Sequence, residues 1–318
     1  MVVINFFEIT DKEGAAQVLA DYFELKAEDV FFELNPTSPD NYKALDFIKR
    51  FSIDLNRAYQ EATKISCRHL TTSDNQLASI FQRGMLNLKQ MLEQDTPLRA
   101  FLHKHGIEIN VDEAWISYDG KRYPIYKYNA KERHCLINPA NDCSEYGDCG
   151  YCNANSSLHS KLYFDKCEIE AFLDADIKDI EGYSIVSNAP EILLTIENLI
   201  KYYTAKKPLL QDAWRNRPNN CGYILEFDVA IEAFEPMTTK SYDSYWNIQE
   251  LAELMGYNEW DFEDDLVKPE FTNNLFLIQN LLNKFYGYRA REFGQILPQT
   301  VIPGNTIRVI KEKPIQVY

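Results

Sequence analysis

The sequence holds no run of about eighteen apolar residues, so no membrane span is expected from it. Its N-terminus, MVVINFFEITDKEG, lacks a basic n-region and a long apolar h-region and does not read as a signal peptide. Cations are scarce: 33 Lys and Arg face 48 Asp and Glu, giving a formal net charge of −15 and a pI near 4.9. That balance argues against nucleic-acid binding by bulk electrostatics, because phosphate contacts need clustered Lys and Arg. A local basic cleft stays open, with residues 121–123 and 201–207 as the candidate stretches and solvated surface as their plainer reading. No Gly-rich phosphate fingerprint follows a strand-like run, which speaks against a doubly wound nucleotide-binding sheet. No internal repeat or low-complexity tract is visible. Cysteine comes in an odd number, seven, with no export signal; reduced thiols or a metal site then fit better than a disulfide framework. A cytoplasmic location is the expectation.

What is present suffices for a sizeable core: 318 residues, 45% of them hydrophobic and 13% aromatic. Residues 1–64 read as a mostly helical N-terminal cap. An Ala-rich helix is expected over 12–22, a turn at Pro36 and Pro39, and an amphipathic helix over 41–63. In the last, Ala44, Ile48, Phe51, Leu55, Ala58 and Tyr59 step by three or four. From residue 65 strand-like runs appear at 65–70, 113–118, 122–128, 160–164, 183–187, 223–229 and 306–310. Helical runs are expected at 76–94, 189–201, 245–255 and 268–286, and Asp119-Gly120 signals a hairpin. The interleaving predicts an α+β fold, with residues 65–318 as the main body, the catalytic domain if the chain is an enzyme, and a Cys-rich insertion at 130–160.

The stretch CRHLTTSDNQLASIFQRGMLNL, residues 67–88, is the most informative. His69 sits in a strand-like run, Thr71 and Thr72 follow, Ser73 and Asp74 read as an N-cap, and Gly84 ends an apolar helix. A strand that ends in His-x-Thr and turns into a short helix puts an imidazole and a hydroxyl at the mouth of a cleft. Taken alone, His69 fits a core or capping histidine as readily as a ligand-binding one. The order His69, Thr71, Asn75, apolar helix, Gly84 resembles the first nicotinamide-pocket motif of the ADP-ribosyltransferase superfamily, most closely its DarT-like toxin branch.

That resemblance implies a split β-sheet core around a nicotinamide cleft, with NAD as a substrate. His69 would hydrogen-bond the nicotinamide-side ribose, with Thr71 beside it; the need is orientation more than acid–base chemistry. It places the catalytic carboxylate at the start of a late strand, which is Glu292 in the run YGYRAREFGQIL, and His69 and Glu292 would then face one cleft. One carboxylate near the anomeric carbon stabilises an oxocarbenium-like transition state. Gln295 would position acceptor or NAD. Ser187 would face the cleft from a second strand, unless it simply caps the helix that follows. Tyr118 or Tyr123 would supply the ring that stacks on nicotinamide. Without the resemblance, Glu292 reads as a surface carboxylate making ordinary ion pairs with its neighbours Arg289 and Arg291. The E-x-E pair of arginine-modifying relatives is absent, which leaves the acceptor open between nucleic acid, RNA or DNA, and protein. A toxin or phage-defence role with a neutralising antitoxin protein follows from the same branch.

Cys135, Cys143, Cys149 and Cys152 lie close together in RHCLINPANDCSEYGDCGYC. Four thiolates suit one tetrahedral structural zinc, with Cys149-x-x-Cys152 as a knuckle. The Cys135–Cys143 spacing is wide for a second knuckle, so unligated thiols and a redox disulfide stay open. Two other functions compete with the transferase: a non-enzymatic zinc-stapled interaction module, and a hydrolase pairing Cys67 with His69 on one strand face.

Overall fold

The computed structural model describes residues 2–37, 44–125, 150–164, 167–183, 188–234, 269–288 and 292–315. It shows a mixed α/β protein with a mainly antiparallel sheet. The chain divides into two compact units, one of residues 1–68, 170–177 and 227–297, the other of residues 69–169, 178–226 and 298–318.

In the first unit, helix α1 (Lys12–Phe23) starts where Asp11 accepts a hydrogen bond from the Gly14 amide at 2.8 Å. Its buried stripe of Ala15, Ala16, Leu19 and Phe23 packs against α11 (Pro269–Tyr286), with α2 (Ala27–Leu34) and α3 (Ala44–Phe51) alongside. The amphipathic helix expected over 41–63 stops at Phe51, and Ser52 turns the chain with φ of 53°. Ile53, Leu55 and Tyr59 are still buried, but on an irregular backbone. The reason is a partner for that backbone. Asn274 of α11 donates to the carbonyls of Leu55 and Arg57 at 2.9 and 3.0 Å and accepts from the Tyr22 hydroxyl. Each such bond adds about 1 kcal/mol, enough to hold a short segment out of a helix of poor propensity. Residues 1–64 also contain a strand: β1 (Val2–Ile4) runs parallel to the start of β2 (Thr63–Ser73). The other strands of this unit are β6 (Ile169–Asp174), β8 (Glu292–Ile296) and the end of β7 (Cys221–Ala230), in the order β8-β6-β2-β7.

In the second unit, helices α4 (Ala78–Arg83), α5 (Leu88–Glu93) and α6 (Pro97–Lys104) follow β2. The helical run expected over 76–94 is split: α4 ends at Gly84, as the 67–88 motif implied, and Asn87 starts α5 with a capping box in which Asn87 and Gln90 exchange bonds of 2.9 and 3.0 Å. A small antiparallel sheet comprises β3 (Ile107–Asn110), β4 (Trp115–Tyr118) and β5 (Lys121–Pro124). The β4–β5 turn is Asp119-Gly120, with φ of 49° and 78°, as its sequence implied. Helix α7 (Gly150–His159) continues into a π-helical turn at Ser160–Phe164, where a strand was expected. Leu158 and Leu162, four apart, are both buried, so helical spacing prevails over strand propensity. A short α8 (Ile177–Glu181), then α9 (Glu191–Thr204) and α10 (Leu210–Arg215), lead to β7, which pairs antiparallel with β9 (Arg308–Pro314).

Residues 126–149, the larger part of the Cys-rich insertion, lie outside the described residues, as does the helix expected over 245–255. The roots of the insertion are tied together at Tyr203. Its ring stacks on Tyr123 at 4.4 Å, its hydroxyl donates to the Pro124 carbonyl, and the Tyr151 hydroxyl donates to it at 2.8 Å. Among the described residues no helix is long and apolar enough to cross a membrane.

Candidate functional site

Side chains alternate along β2, so Cys67, His69 and Thr71 point to one side and Arg68, Leu70 and Thr72 to the other. His69 and Thr71 line a cleft of about 500 Å³, its open mouth included, which lies in the second unit. The rest of the lining comes from the last turn of α4, through Ile80, Arg83 and Gly84, from Met85, Leu86 and Met91, and from Thr96 and Pro97 at the start of α6.

Local chemistry holds these segments. The Ser73 hydroxyl accepts from the Leu77 amide at 3.0 Å and donates to Asn75 Oδ1 at 2.8 Å, which turns the chain from β2 into α4. Asp74, expected to share the capping, instead pairs with Arg217. Gly84 ends α4 at φ of 84° and ψ of −175°, a conformation open essentially to glycine alone. The Met85 amide then donates to the Ile302 carbonyl at 3.0 Å, and Asn87 Nδ2 to the Pro298 carbonyl at 3.0 Å. Thr96 caps α6, accepting from the Arg99 amide at 3.1 Å and donating to the Met91 carbonyl at 2.6 Å. On the far side of β2, Trp214 Nε1 donates to Thr72 Oγ1 at 2.9 Å, and the Arg217 guanidinium lies 4.0 Å over the indole. Thr72, next to Thr71, is thereby fixed from behind.

The other candidate residues fall as follows. Tyr118 and Tyr123 do not line this cleft. Both pack against the hydrophobic cluster around α7 and α9, and Tyr123 already stacks on Tyr203. Strand β8 begins at Glu292, as the late-strand expectation requires, but the Glu292 side chain lies outside the described residues. Gln295 is in the first unit, on the face of β8 that carries Phe293; Phe293 meets the Phe172 ring at 4.6 Å, and the buried Gln295 Oε1 has no hydrogen-bond partner among the described residues. Ser187 lies outside the described residues, and so do Cys135, Cys143 and Cys149. Cys152 is buried on α7 within the hydrophobic cluster, and no group of three or more metal-ligating side chains occurs among the described residues. The Cys67 thiol is fully buried and donates to the Ile65 carbonyl, which closes it to a substrate and removes the Cys67–His69 hydrolase.

Arg83, Met85, Met91 and Thr96 line the cleft without having been expected to. A signal existed for the first two, which flank the helix-ending Gly84. None existed for Met91 or Thr96, which reach the cleft only because the chain turns back after α5. No protein-family model matches the chain, and no curated protein or solved structure matches it either.

Proposed function

We propose that this chain is an NAD-dependent ADP-ribosyltransferase whose nicotinamide end is held in the His69 cleft. The observation that carries the reading is the pairing of His69 and Thr71, two residues apart on β2, in one cleft closed by a Gly84-terminated helix. An imidazole and a hydroxyl at that spacing suit a ribose and a carboxamide, and Met85 and Met91 offer a polarisable apolar bed for a flat ring. Glu292, carried over from the resemblance, supplies the carboxylate. In the reaction the C–N glycosidic bond of NAD breaks and nicotinamide leaves with the bonding pair. A lone pair of the acceptor then forms the new bond to the anomeric carbon, and the acceptor loses a proton. The negative charge of Glu292 stabilises the positive charge that develops in between. The acceptor is a nucleic acid or a protein, and a toxin or phage-defence role with a neutralising antitoxin protein accompanies it. A structural zinc on Cys135, Cys143, Cys149 and Cys152 staples the insertion; metal analysis of the purified protein tests that part by itself.

The test of the activity is transfer of labelled ADP-ribose from NAD to total RNA, DNA and protein, together with the melting temperature in the presence of NAD. Label in one pool and a rise in melting temperature support the reading. No label in any pool and no shift would favour the non-enzymatic interaction module.

A further inference from the structure

We propose that Arg83 gives the His69 cleft its selectivity for an anionic, phosphate-bearing ligand, and that it does so by giving up Asp95 for the ligand's phosphate. This rests on the cleft being a ligand site, as the proposed function also holds.

Among the residues that line the cleft, Arg83 alone carries a fixed charge; the rest are neutral side chains and His69. The cation stands at the last turn of α4. It donates to the Asp95 carbonyl and lies 3.9 Å from the Asp95 carboxylate, immediately before Thr96 and Pro97. The contact therefore joins two of the segments that line the cleft. Its ion-pair part is weak: Arg83 is 36% exposed and Asp95 is 95% exposed, and ion pairs in that setting contribute about 0–1 kcal/mol, while a bond to a single neutral carbonyl leaves the guanidinium's charge unmatched. A phosphate in the cleft offers two parallel charge-assisted bonds to the same guanidinium, a stronger and better-matched partner.

The backbone beneath Arg83 leaves exchange to the side chain. Gly84 is locked in a glycine-only conformation, a Cβ there would fall 2.3 Å from the Ile302 carbonyl, and the next amide is bonded to that carbonyl. Gly304 presses on the end of α4 from the same segment; a Cβ there would fall 2.2 Å from the Phe81 carbonyl. The wall stays in place while the guanidinium swings. A cation at this position is also needed on general grounds, because a chain of net charge −15 repels an incoming anion unless a local positive group offsets it.

The experiment measures binding by calorimetry with three probes: NAD, nicotinamide, which has no phosphate, and inorganic pyrophosphate, which has nothing else. Wild type is compared with Arg83→Gln, Arg83→Lys and Asp95→Asn. Arg83→Gln should weaken NAD and pyrophosphate by roughly tenfold or more and leave nicotinamide unchanged. Arg83→Lys should recover part of that loss. Asp95→Asn should tighten both phosphate-bearing probes by about twofold, because the competing partner is weakened. Unchanged NAD and pyrophosphate affinity in Arg83→Gln would overturn the proposal while leaving the NAD reading intact. Arg83-dependent pyrophosphate binding without NAD binding would support the proposal and sink the NAD reading. Binding of no probe to wild type would sink both. Should Arg83→Gln fail to fold, the Asp95→Asn arm decides, and no tightening there would count against the exchange.

Discussion

Gly84 and the Ile302 carbonyl stand so close that no side chain fits between them: a Cβ on Gly84 would lie 2.3 Å from the Ile302 oxygen, which already accepts the Met85 amide. This contact fixes the end of α4, which lines the His69 cleft. Gly84→Ala should therefore destabilise the protein by about 2 kcal/mol or more, from the strained φ and the backbone clash together. Urea denaturation measures it, and an unchanged midpoint would show that the segment yields freely. Ligand binding in the cleft should fall along with stability.

Thr72→Val leaves the buried Trp214 N–H without its partner while keeping the shape of the side chain. The expected loss is about 1–3 kcal/mol, the desolvation penalty of an unsatisfied buried donor. Indole fluorescence should shift, since Trp214 is almost fully buried. A variant as stable as wild type would mean that the bond contributes nothing to holding β2 behind His69 and Thr71.

Glu292→Gln should abolish ADP-ribose transfer, slowing it by roughly a hundredfold or more, with fold and NAD binding nearly intact, because shape is kept and only the charge is lost. His69→Ala should instead weaken NAD binding as well as transfer, because it removes an orienting contact. Transfer at the wild-type rate by Glu292→Gln would remove the catalytic assignment.

Alkaline stability should depend on three tyrosines, Tyr22 and Tyr223 buried and Tyr286 half-buried. Burial pushes the phenols of Tyr22, Tyr223 and Tyr286 from the ordinary 10.0 up to about 12. Between those values the folded state binds more protons than the unfolded one, so stability falls as pH rises. It is fully present below pH 10 and lost progressively toward pH 12. Circular dichroism followed beside tyrosinate absorbance checks this. Tyr22→Phe should flatten part of the slope, and it should also lower stability by about 1 kcal/mol through loss of the bond to Asn274.

Local signals in the chain were reliable where local physics decides. The helix at 12–23 follows from its Ala-rich composition, those at 191–204 and 269–286 fall on the helical runs expected at 189–201 and 268–286, and the Asp119-Gly120 hairpin follows from the positive φ those residues tolerate. The failures have equally definite causes. Residues 53–59 keep helical spacing but not helical backbone, because Asn274, more than two hundred residues away in the chain, supplies their hydrogen bonds. Strand β1 is only three residues long and exists because β2 pairs with it. Tyr118 and Tyr123 offered rings of the right kind, but with twenty tyrosines in the chain composition could not tell a stacking ring from one committed to Tyr203 and the core.

The sequence by itself determined the part of the candidate site that is continuous in the chain: the alternation that puts His69 and Thr71 on one side of a strand, the Ser73 turn, and the helix end at Gly84. Strand period, capping and positive φ are properties of a few neighbouring residues, and neighbouring residues suffice to specify them. Only the tertiary structure decided that Met91, Thr96 and Pro97 close the cleft, that Ile302 and Gly304 brace its wall, and that Trp214 secures β2 from behind. Those contacts join residues far apart in the chain. Close packing and the satisfaction of buried donors select them among many partners of similar character, and no periodicity or spacing records that choice.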